Sequence, residues 1–304
     1  MTAGRLRLSP AVAAALSARR AVVALETTVV THGLPSPEGV RVALEMEARV
    51  TAAGATPASV GLLEGDVRVG LAAAELERLA ATPGTVKVNL GNLAATLAAG
   101  VAGSTTVAAT MLVAARAGIG VFATGGIGGV HRDAPETDDV SADLTALARF
   151  PVAVVCSGAK AILDLPRTRE RLETLGVPVL GWRCDGFPAF WRRESGLAVD
   201  RRFDDLARLA EAIRVHHELG TGTGVIVANP VPGADELDGA AYERALGSAL
   251  EAAAGRGVRG RDVTPFLLEQ MSRATGGAAM RANLALLRDN ATLAGALAVE
   301  MARA

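Results

Sequence analysis

Two lysines, Lys87 and Lys160, stand among 31 basic residues, and arginine supplies the rest. A GC-rich genome that replaces lysine wherever either cation serves explains the ratio, so the positions that keep lysine raise a chemical question. A lysine can lose its proton and attack a carbonyl; guanidinium, with a pKa above about 12, cannot. Both lysines have apolar neighbours, in Thr85-Val86-Lys87-Val88 and Ser157-Gly158-Ala159-Lys160-Ala161-Ile162. Removal from water lowers a lysine pKa from about 10.4 and frees the amine to form a Schiff base. The residues alone leave two readings open: a Schiff-base lysine, or a structural or phosphate-pairing one.

Glu26 closes the run Val22-Val23-Ala24-Leu25 and is followed by Thr27-Thr28. In open α/β sheets, ligand crevices form at the carboxyl ends of strands. A carboxyl group held there among apolar side chains has a raised pKa and can donate a proton. The competing reading is a strand-end glutamate bonded to loop amides. His32, in Thr31-His32-Gly33-Leu34-Pro35, reads as a residue that shapes the next loop.

The run Thr124-Gly125-Gly126-Ile127-Gly128-Gly129-Val130-His131-Arg132 follows a predicted strand. Its glycines either let backbone amides converge on an anion, with histidine and arginine adding charge, or make a tight turn without a ligand. They do not fit a dinucleotide fingerprint, and no helix follows at once. Next come the acids Asp133, Glu136, Asp138, Asp139 and Asp143. Acids at a helix start commonly partner its dipole; beside an anion loop, the same hard oxygens can hold Mg²⁺ or Mn²⁺. His216-His217 and Trp191-Arg192-Arg193 read as surface or packing residues.

The elements that must position these groups alternate along the chain. Residues 21–27 predict a strand and 37–53 a helix opened by Pro37. Residues 58–63 and 67–71 predict a hairpin turned by Glu64-Gly65-Asp66. Strands follow at 86–88, 120–123, 152–156, 177–181 and 225–228. Helices are expected at 90–99, 107–117, 143–149, 167–175 and 204–218, and everything from Leu237 on reads as helical. Such alternation predicts an α/β fold, a three-layer α/β/α arrangement with a mostly parallel central sheet. No linker or internal repeat divides it, so residues 1–304 are expected to form a single domain.

Composition narrows the function classes. Half of the 304 residues are apolar, ample for a large core, and aromatics are only 3 %. Net charge is -1, from 31 basic and 32 acidic side chains, without the basic surplus that nucleic acid or an anionic membrane requires. The longest apolar stretch, residues 101–130, carries Arg116 and seven glycines and does not read as a membrane span. Residues 1–10 lack a hydrophobic signal core. Cys156 and Cys184, the only cysteines, are too few for a disulfide framework or a zinc site. The expectation is a reduced, cytoplasmic, soluble protein.

Together these segments resemble one family, the pseudouridine-5′-phosphate glycosidases, also called the indigoidine synthase A family. The likeness begins with Ala24-Leu25-Glu26-Thr27-Thr28, Thr31-His32-Gly33-Leu34-Pro35 and Gly54-Ala55-Thr56-Pro57-Ala58. It continues with Thr105-Thr106-Val107-Ala108-Ala109-Thr110-Met111, the run from Phe122 to Arg132 and Ser141-Ala142-Asp143-Leu144. Ser157-Gly158-Ala159-Lys160-Ala161-Ile162-Leu163-Asp164, Ala228-Asn229-Pro230, Thr264-Pro265-Phe266-Leu267-Leu268 and Ala282-Asn283-Leu284-Ala285-Leu286 complete it. It covers essentially the whole chain, and the glycine run followed by the lysine motif is its most specific part.

The resemblance implies an enzyme, a pseudouridylate synthase or glycosidase of the lyase class, that reversibly cleaves pseudouridine 5′-phosphate to uracil and ribose 5-phosphate. The leaving atom is a ring carbon without a lone pair, so joining C1′ of the opened sugar to an amine supplies the electron sink. Carried over by motif, Lys160 is the nucleophile and Glu26 the proton donor. Lys87, Val107 (through its backbone), Ser141, Ala142 and Asp143 contact substrate, and Asn283 faces the base. Asp139 holds Mn²⁺, largely through water, and the assembly is a homotrimer. After Lys87-Val88 the family commonly carries a Ser-Arg-Arg-Asp-like run; here Asn89-Leu90-Gly91-Asn92 removes two arginines from beside Lys87. Two rivals remain. A related Schiff-base lyase acting on another C-glycoside or sugar phosphate releases no uracil but is still trapped by borohydride. A sugar-phosphate-binding protein without turnover forms no covalent adduct.

Overall fold

The computed structural model describes residues 4–258 and 263–303. The ends of the expected 1–304 domain and the side chains of Glu136, Thr264 and Pro265 lie outside the described residues. Among those described, eleven strands form one sheet: β1 (Leu6–Leu8), β2 (Val22–Leu25), β3 (Thr56–Leu63), β4 (Asp66–Val69), β5 (Val86–Val88), β6 (Gly103–Thr105), β7 (Val121–Ala123), β8 (Ala153–Cys156), β9 (Val179–Trp182), β10 (Arg201–Phe203) and β11 (Val225–Ala228). The order across it is β1-β4-β3-β2-β7-β8-β11-β9-β10, with β6 paired to β3 and β5 to β6. Pairing is parallel except where β3 meets β4 and β6.

Helices flank this sheet: α1 (Pro10–Ser17), α2 (Glu38–Ala52), α3 (Ala73–Ala81), α4 (Leu93–Ala98), α5 (Val107–Ala117), α6 (Ala134–Thr137), α7 (Ala142–Leu147), α8 (Leu165–Thr174), α9 (Leu206–Glu218), α10 (Gly239–Gly255), α11 (Val263–Ala274) and α12 (Ala278–Ala302). The α/β class with a mostly parallel sheet is therefore the observed one. No helix among the described residues is long and apolar enough to cross a membrane.

Strands β2, β7, β8 and β11 are buried at every residue and read Val-Val-Ala-Leu, Val-Phe-Ala, Ala-Val-Val-Cys and Val-Ile-Val-Ala. Unbroken apolar runs of this kind suit parallel strands covered on both faces. Helix α12 lies along β2, β7 and β8 and packs on α2 and α9, while α5 packs on β2, β6 and β7 and against α7. Gly295 lets α12 approach α2 closely, since a Cβ there would sit 2.6 Å from that of Ala53.

The hairpin β3–β4 turns at Glu64 (φ 55°) and Gly65 (φ 75°), and Asp66, expected in the turn, already pairs with Leu63. A two-residue loop with both φ positive matches the twist of the strands it joins. The helix expected at 90–99 starts only at Leu93, because Asn89 and Asn92 close a turn first: Asn89 N–H donates to Asn92 Oδ1 (2.8 Å) and Gly91 N–H to Asn89 Oδ1 (2.8 Å). Strands β1, β6 and β10, helices α1, α3 and α6 and a π-helical turn at Val29–Gly33 are additions to the expected set.

One side chain of α12 holds the carboxyl edge of the sheet together. Asn290, fully buried, donates to the carbonyl of Thr124 (2.9 Å) and to Ser157 Oγ (3.2 Å), and accepts from Asn229 Nδ2 (2.9 Å). Thr124, Ser157 and Asn229 are the residues that directly follow β7, β8 and β11. Asn290→Ala strands those partners in a dry interior, where each unmet group costs about 1–3 kcal/mol. Urea denaturation of that variant should show a loss of about 2–4 kcal/mol. A loss below about 0.5 kcal/mol would show that the edge is held by other means.

Candidate active site

A cavity of about 310 Å³ opens at the carboxyl end of the central strands. All nine residues expected at the site line it: Glu26, Lys87, Val107, Asp139, Ser141, Ala142, Asp143, Lys160 and Asn283. They come from six separate stretches of chain, so the convergence is a property of the fold.

Glu26 is the first residue after β2. Its carboxyl faces the cavity and is otherwise enclosed by protein, accepting from the Thr28 hydroxyl and from Val29 N–H (3.3 Å) through Oε2. Thr124 Oγ1 lies 3.5 Å from Oε1. Burial pushes the Glu26 pKa up; the Thr28 bond, the charge of Lys160 and the loop amides pull against it, and burial prevails. The strand-end glutamate bonded to loop amides and the buried acid are thus one group, since both readings hold at once.

Lys160 is placed by backbone pairing between its own loop and the glycine run. Ser157 N–H donates to Gly125 O (2.9 Å), Ile127 N–H to Gly158 O (3.0 Å), Lys160 N–H to Ile127 O (3.0 Å) and Asp164 N–H to Val130 O (2.9 Å). The run is therefore largely a scaffold for the lysine. Further amides go to Asp143 Oδ2, from Gly128 (2.8 Å), and to Thr168 Oγ1, from Val130 (3.0 Å). Its glycines serve close approach: at Gly128 a Cβ would overlap the Ser141 side chain, and at Gly129 that of Thr168. Gly158 has φ +74°, and a methyl there would overlap the Pro188 carbonyl oxygen.

Asp143 is a clamp as well as a wall of the cavity. Its carboxylate accepts from Ala108 N–H in the first turn of α5 (3.0 Å) and from Gly128 N–H (2.8 Å), fixing that helix against the glycine run. Val107 begins α5, so the amide end of that helix meets the cavity, where a helix favours anions. Asn92 Nδ2 donates to the Lys87 carbonyl (3.0 Å), and both Asn89 and Asn92 line the cavity beside Lys87.

Of the acids, Asp133 and Asp139 come together with His131, their ligand atoms within 4.8 Å of one another. His131 Nδ1 stands 3.9 Å from Asp139 Oδ2, and His131 N–H donates to the Asp139 carbonyl (3.0 Å). Two carboxylates and an imidazole, half open to water, suit a hard or borderline divalent ion such as Mn²⁺. Asp143 points elsewhere, to its two amides, and Asp138 is exposed. Thr28, Thr124, Phe190 and Leu268 also line the cavity. A small hydroxyl or an apolar side chain carries no chemical signal in a sequence: Thr28, Thr124 and Leu268 lie within the family's motifs without being singled out there, and Phe190 lies outside them. His32, Gly33, Leu268 and Asn283 also border a second cavity of about 440 Å³ with Trp191 and Met280 in its wall.

Comparison with known proteins agrees with this geometry. The sequence model described as Indigoidine synthase A like protein matches residues 11–300. A pseudouridine-5′-phosphate glycosidase of Methylobacterium nodulans is 51 % identical over 97 % of this chain and 88 % of its own length. One of Streptomyces griseus is 52 % identical over 98 % and 92 %. Among solved structures, the prealnumycin C-glycosynthase AlnA in complex with ribulose 5-phosphate superposes with a TM-score of 0.91 at 39 % identity, covering 99 % of this chain and 98 % of that one. An indigoidine synthase A-like protein of Thermotoga maritima gives 0.88 at 36 %, covering 98 % and 97 %.

The lysine loop offers a direct test. Gly158→Ala should lower the melting temperature by more than about 5 °C, through a left-handed φ and a backbone clash. Gly118→Ala, also at positive φ (78°) but facing open space, should cost less than half as much. Equal melting of the two variants would contradict the close packing at Gly158.

Proposed function

The chain belongs to the indigoidine synthase A-like family, and we propose that it is a C-glycosidase interconverting pseudouridine 5′-phosphate with uracil and ribose 5-phosphate. The observation that carries the reading is an acid and an amine, Glu26 and Lys160, in one cavity with the cation Lys87 and the amide end of α5. The curated relatives bear that name, and the C-glycosynthase neighbour holds a five-carbon sugar phosphate.

In this reading Lys87 and the first turn of α5 receive the phosphate, and Asn283 meets the base. Lys160 Nζ, as the free amine, bonds to C1′ as the C1′–O4′ bond of the ribose breaks, and the proton that the nitrogen sheds goes to O4′, which becomes a hydroxyl. When the bond from C1′ to the uracil carbon breaks, its electron pair stays with uracil as a proton from Glu26 arrives there. The nitrogen lone pair of Lys160 forms the C1′=N bond in the same step. Water then hydrolyses the imine, returning the amine and releasing ribose 5-phosphate. Burial suits Glu26 to hold the proton until that moment.

Asp139 is the residue we assign to Mn²⁺, held largely through water, with His131 and Asp133 as the donors beside it. When bound, the ion supplies positive charge beside the phosphate or sugar. The resemblance carries a homotrimer. Cytoplasmic operation is part of the same reading, and the two cysteines are free and buried, their thiols pushed up by burial to about 12 (Cys156) and about 11 (Cys184). A second reading, the same chemistry on a C-glycoside with a larger aglycone, is favoured by the adjoining cavity of about 440 Å³.

The test is incubation with pseudouridine 5′-phosphate and Mn²⁺, following uracil and ribose 5-phosphate by chromatography. Equal molar release of both is expected; no release of uracil would leave the second reading. Glu26→Gln keeps the shape without the proton, so kcat should fall by about 10² or more while substrate still binds. A chelator should abolish turnover and Mn²⁺ restore it, and Asp139→Ala should need at least about tenfold more metal. Full activity of metal-stripped protein would remove the ion from the account.

A further inference from the structure

The two oxygens of the Glu26 carboxyl are not equivalent. Oε2 accepts from the Thr28 hydroxyl and from Val29 N–H (3.3 Å), both belonging to the turn that leads into the π-helical segment. Oε1 lies 3.5 Å from the Thr124 hydroxyl. A carboxyl oxygen offers two lone pairs in its plane. With the Thr28 hydroxyl and Val29 N–H both donating, the two lone pairs of Oε2 are filled and Oε1 is left to carry the proton of the neutral acid.

We infer that Thr28 is a positioning residue for the proton donor: with Val29 it fixes the plane of the Glu26 carboxyl and commits the transferable proton to Oε1, beside Thr124. The neighbouring threonine has a different task. Thr27 donates to the Val60 carbonyl (2.6 Å) and accepts from Thr105 N–H (3.0 Å), joining β2 to β3 and β6. Thr28 alone of the pair points to the acid. The direction of proton transfer rests on the glycosidase reading; the placement of the proton does not.

The titratable side chains sharing the cavity are Lys160, Lys87, His32, His131, Asp139 and Asp143. Of these the charge of Lys160 bears on Glu26 and favours its ionised form, as the Thr28 bond does more strongly, while burial favours the neutral acid. Removing the Thr28 hydroxyl therefore moves the Glu26 pKa further up. Cleavage needs the protonated acid, so activity is lost as pH rises through that pKa, and the alkaline limb should move up with it.

The experiment is an isotope-edited infrared titration of the carboxyl C=O stretch, with Glu26→Gln subtracted, which reads Glu26 without substrate. Thr28→Val should raise the Glu26 pKa by about one unit, and Thr28→Ser should restore it. In uracil release, Thr28→Val should lower kcat by about tenfold with little change in KM, and its alkaline limb should follow the infrared value. If the valine variant does not fold, Thr28→Ala removes the hydroxyl without added bulk and gives the same readings. An unshifted infrared pKa, or a loss confined to KM, overturns the inference. A wild type that shows the infrared behaviour but releases no uracil overturns the glycosidase reading instead.

Discussion

Parallel strands that end side by side leave a row of backbone groups with no further strand to bond. In this protein β2, β7, β8 and β11 are neighbours in that position, and the ladder closes at Leu25, Ala123, Cys156 and Ala228. A buried row of unmet carbonyls is costly, so something must cover it. Asn290 meets one such carbonyl directly, that of Thr124, and ties to it the side chains of Ser157 and Asn229, so that it reaches three of the four strand ends from α12. The fourth strand end carries Glu26, whose side chain remains available to the cavity. The buried acid sits at the one of these four strand ends that the asparagine does not reach.

From that edge the rest follows by packing. The loops after β7 and β8 leave the sheet together and keep bonding each other, which carries Lys160 to the cavity wall as a consequence of the glycine run beside it. Asp143 then locks the run to the start of α5. Rigid elements thereby supply an acid, an amine and an anion-favouring helix end before any substrate arrives, and such preorganisation is what a C–C bond cleavage without a heteroatom leaving group requires.

Much of this was legible in the chain. The alternation of strands and helices gave the fold class, and the scarcity of lysine singled out Lys87 and Lys160, both of which reach the cavity. What stayed hidden was relational. The glycine run reads equally as an anion cradle or a scaffold until the partners of its amides are known, and Ile127, Gly128 and Val130 turn out to spend theirs on protein. Strand β6, three residues long with a leading glycine, has no periodicity to betray it; it exists because β3 offers Gly61 and Leu62 as partners. The π-helical turn after Glu26 cannot be read from Val29-Val30-Thr31-His32-Gly33, since it depends on Thr28 and Val29 finding the carboxyl. Asp143 looked like one acid of a cluster, and burial beside two amides gives it a different role from Asp139.

The central claim is that Lys160 becomes covalently joined to the sugar while Lys87 acts only as a cation. Borohydride added during turnover of pseudouridine 5′-phosphate reduces an imine to a stable amine, and peptide mapping by mass spectrometry then locates it. The account predicts a reduced ribose phosphate on Lys160 in the wild type and none in Lys160→Arg, which keeps the charge but cannot form an imine. An adduct on Lys87 would exchange the roles of the two lysines, and no adduct on either would contradict covalent catalysis.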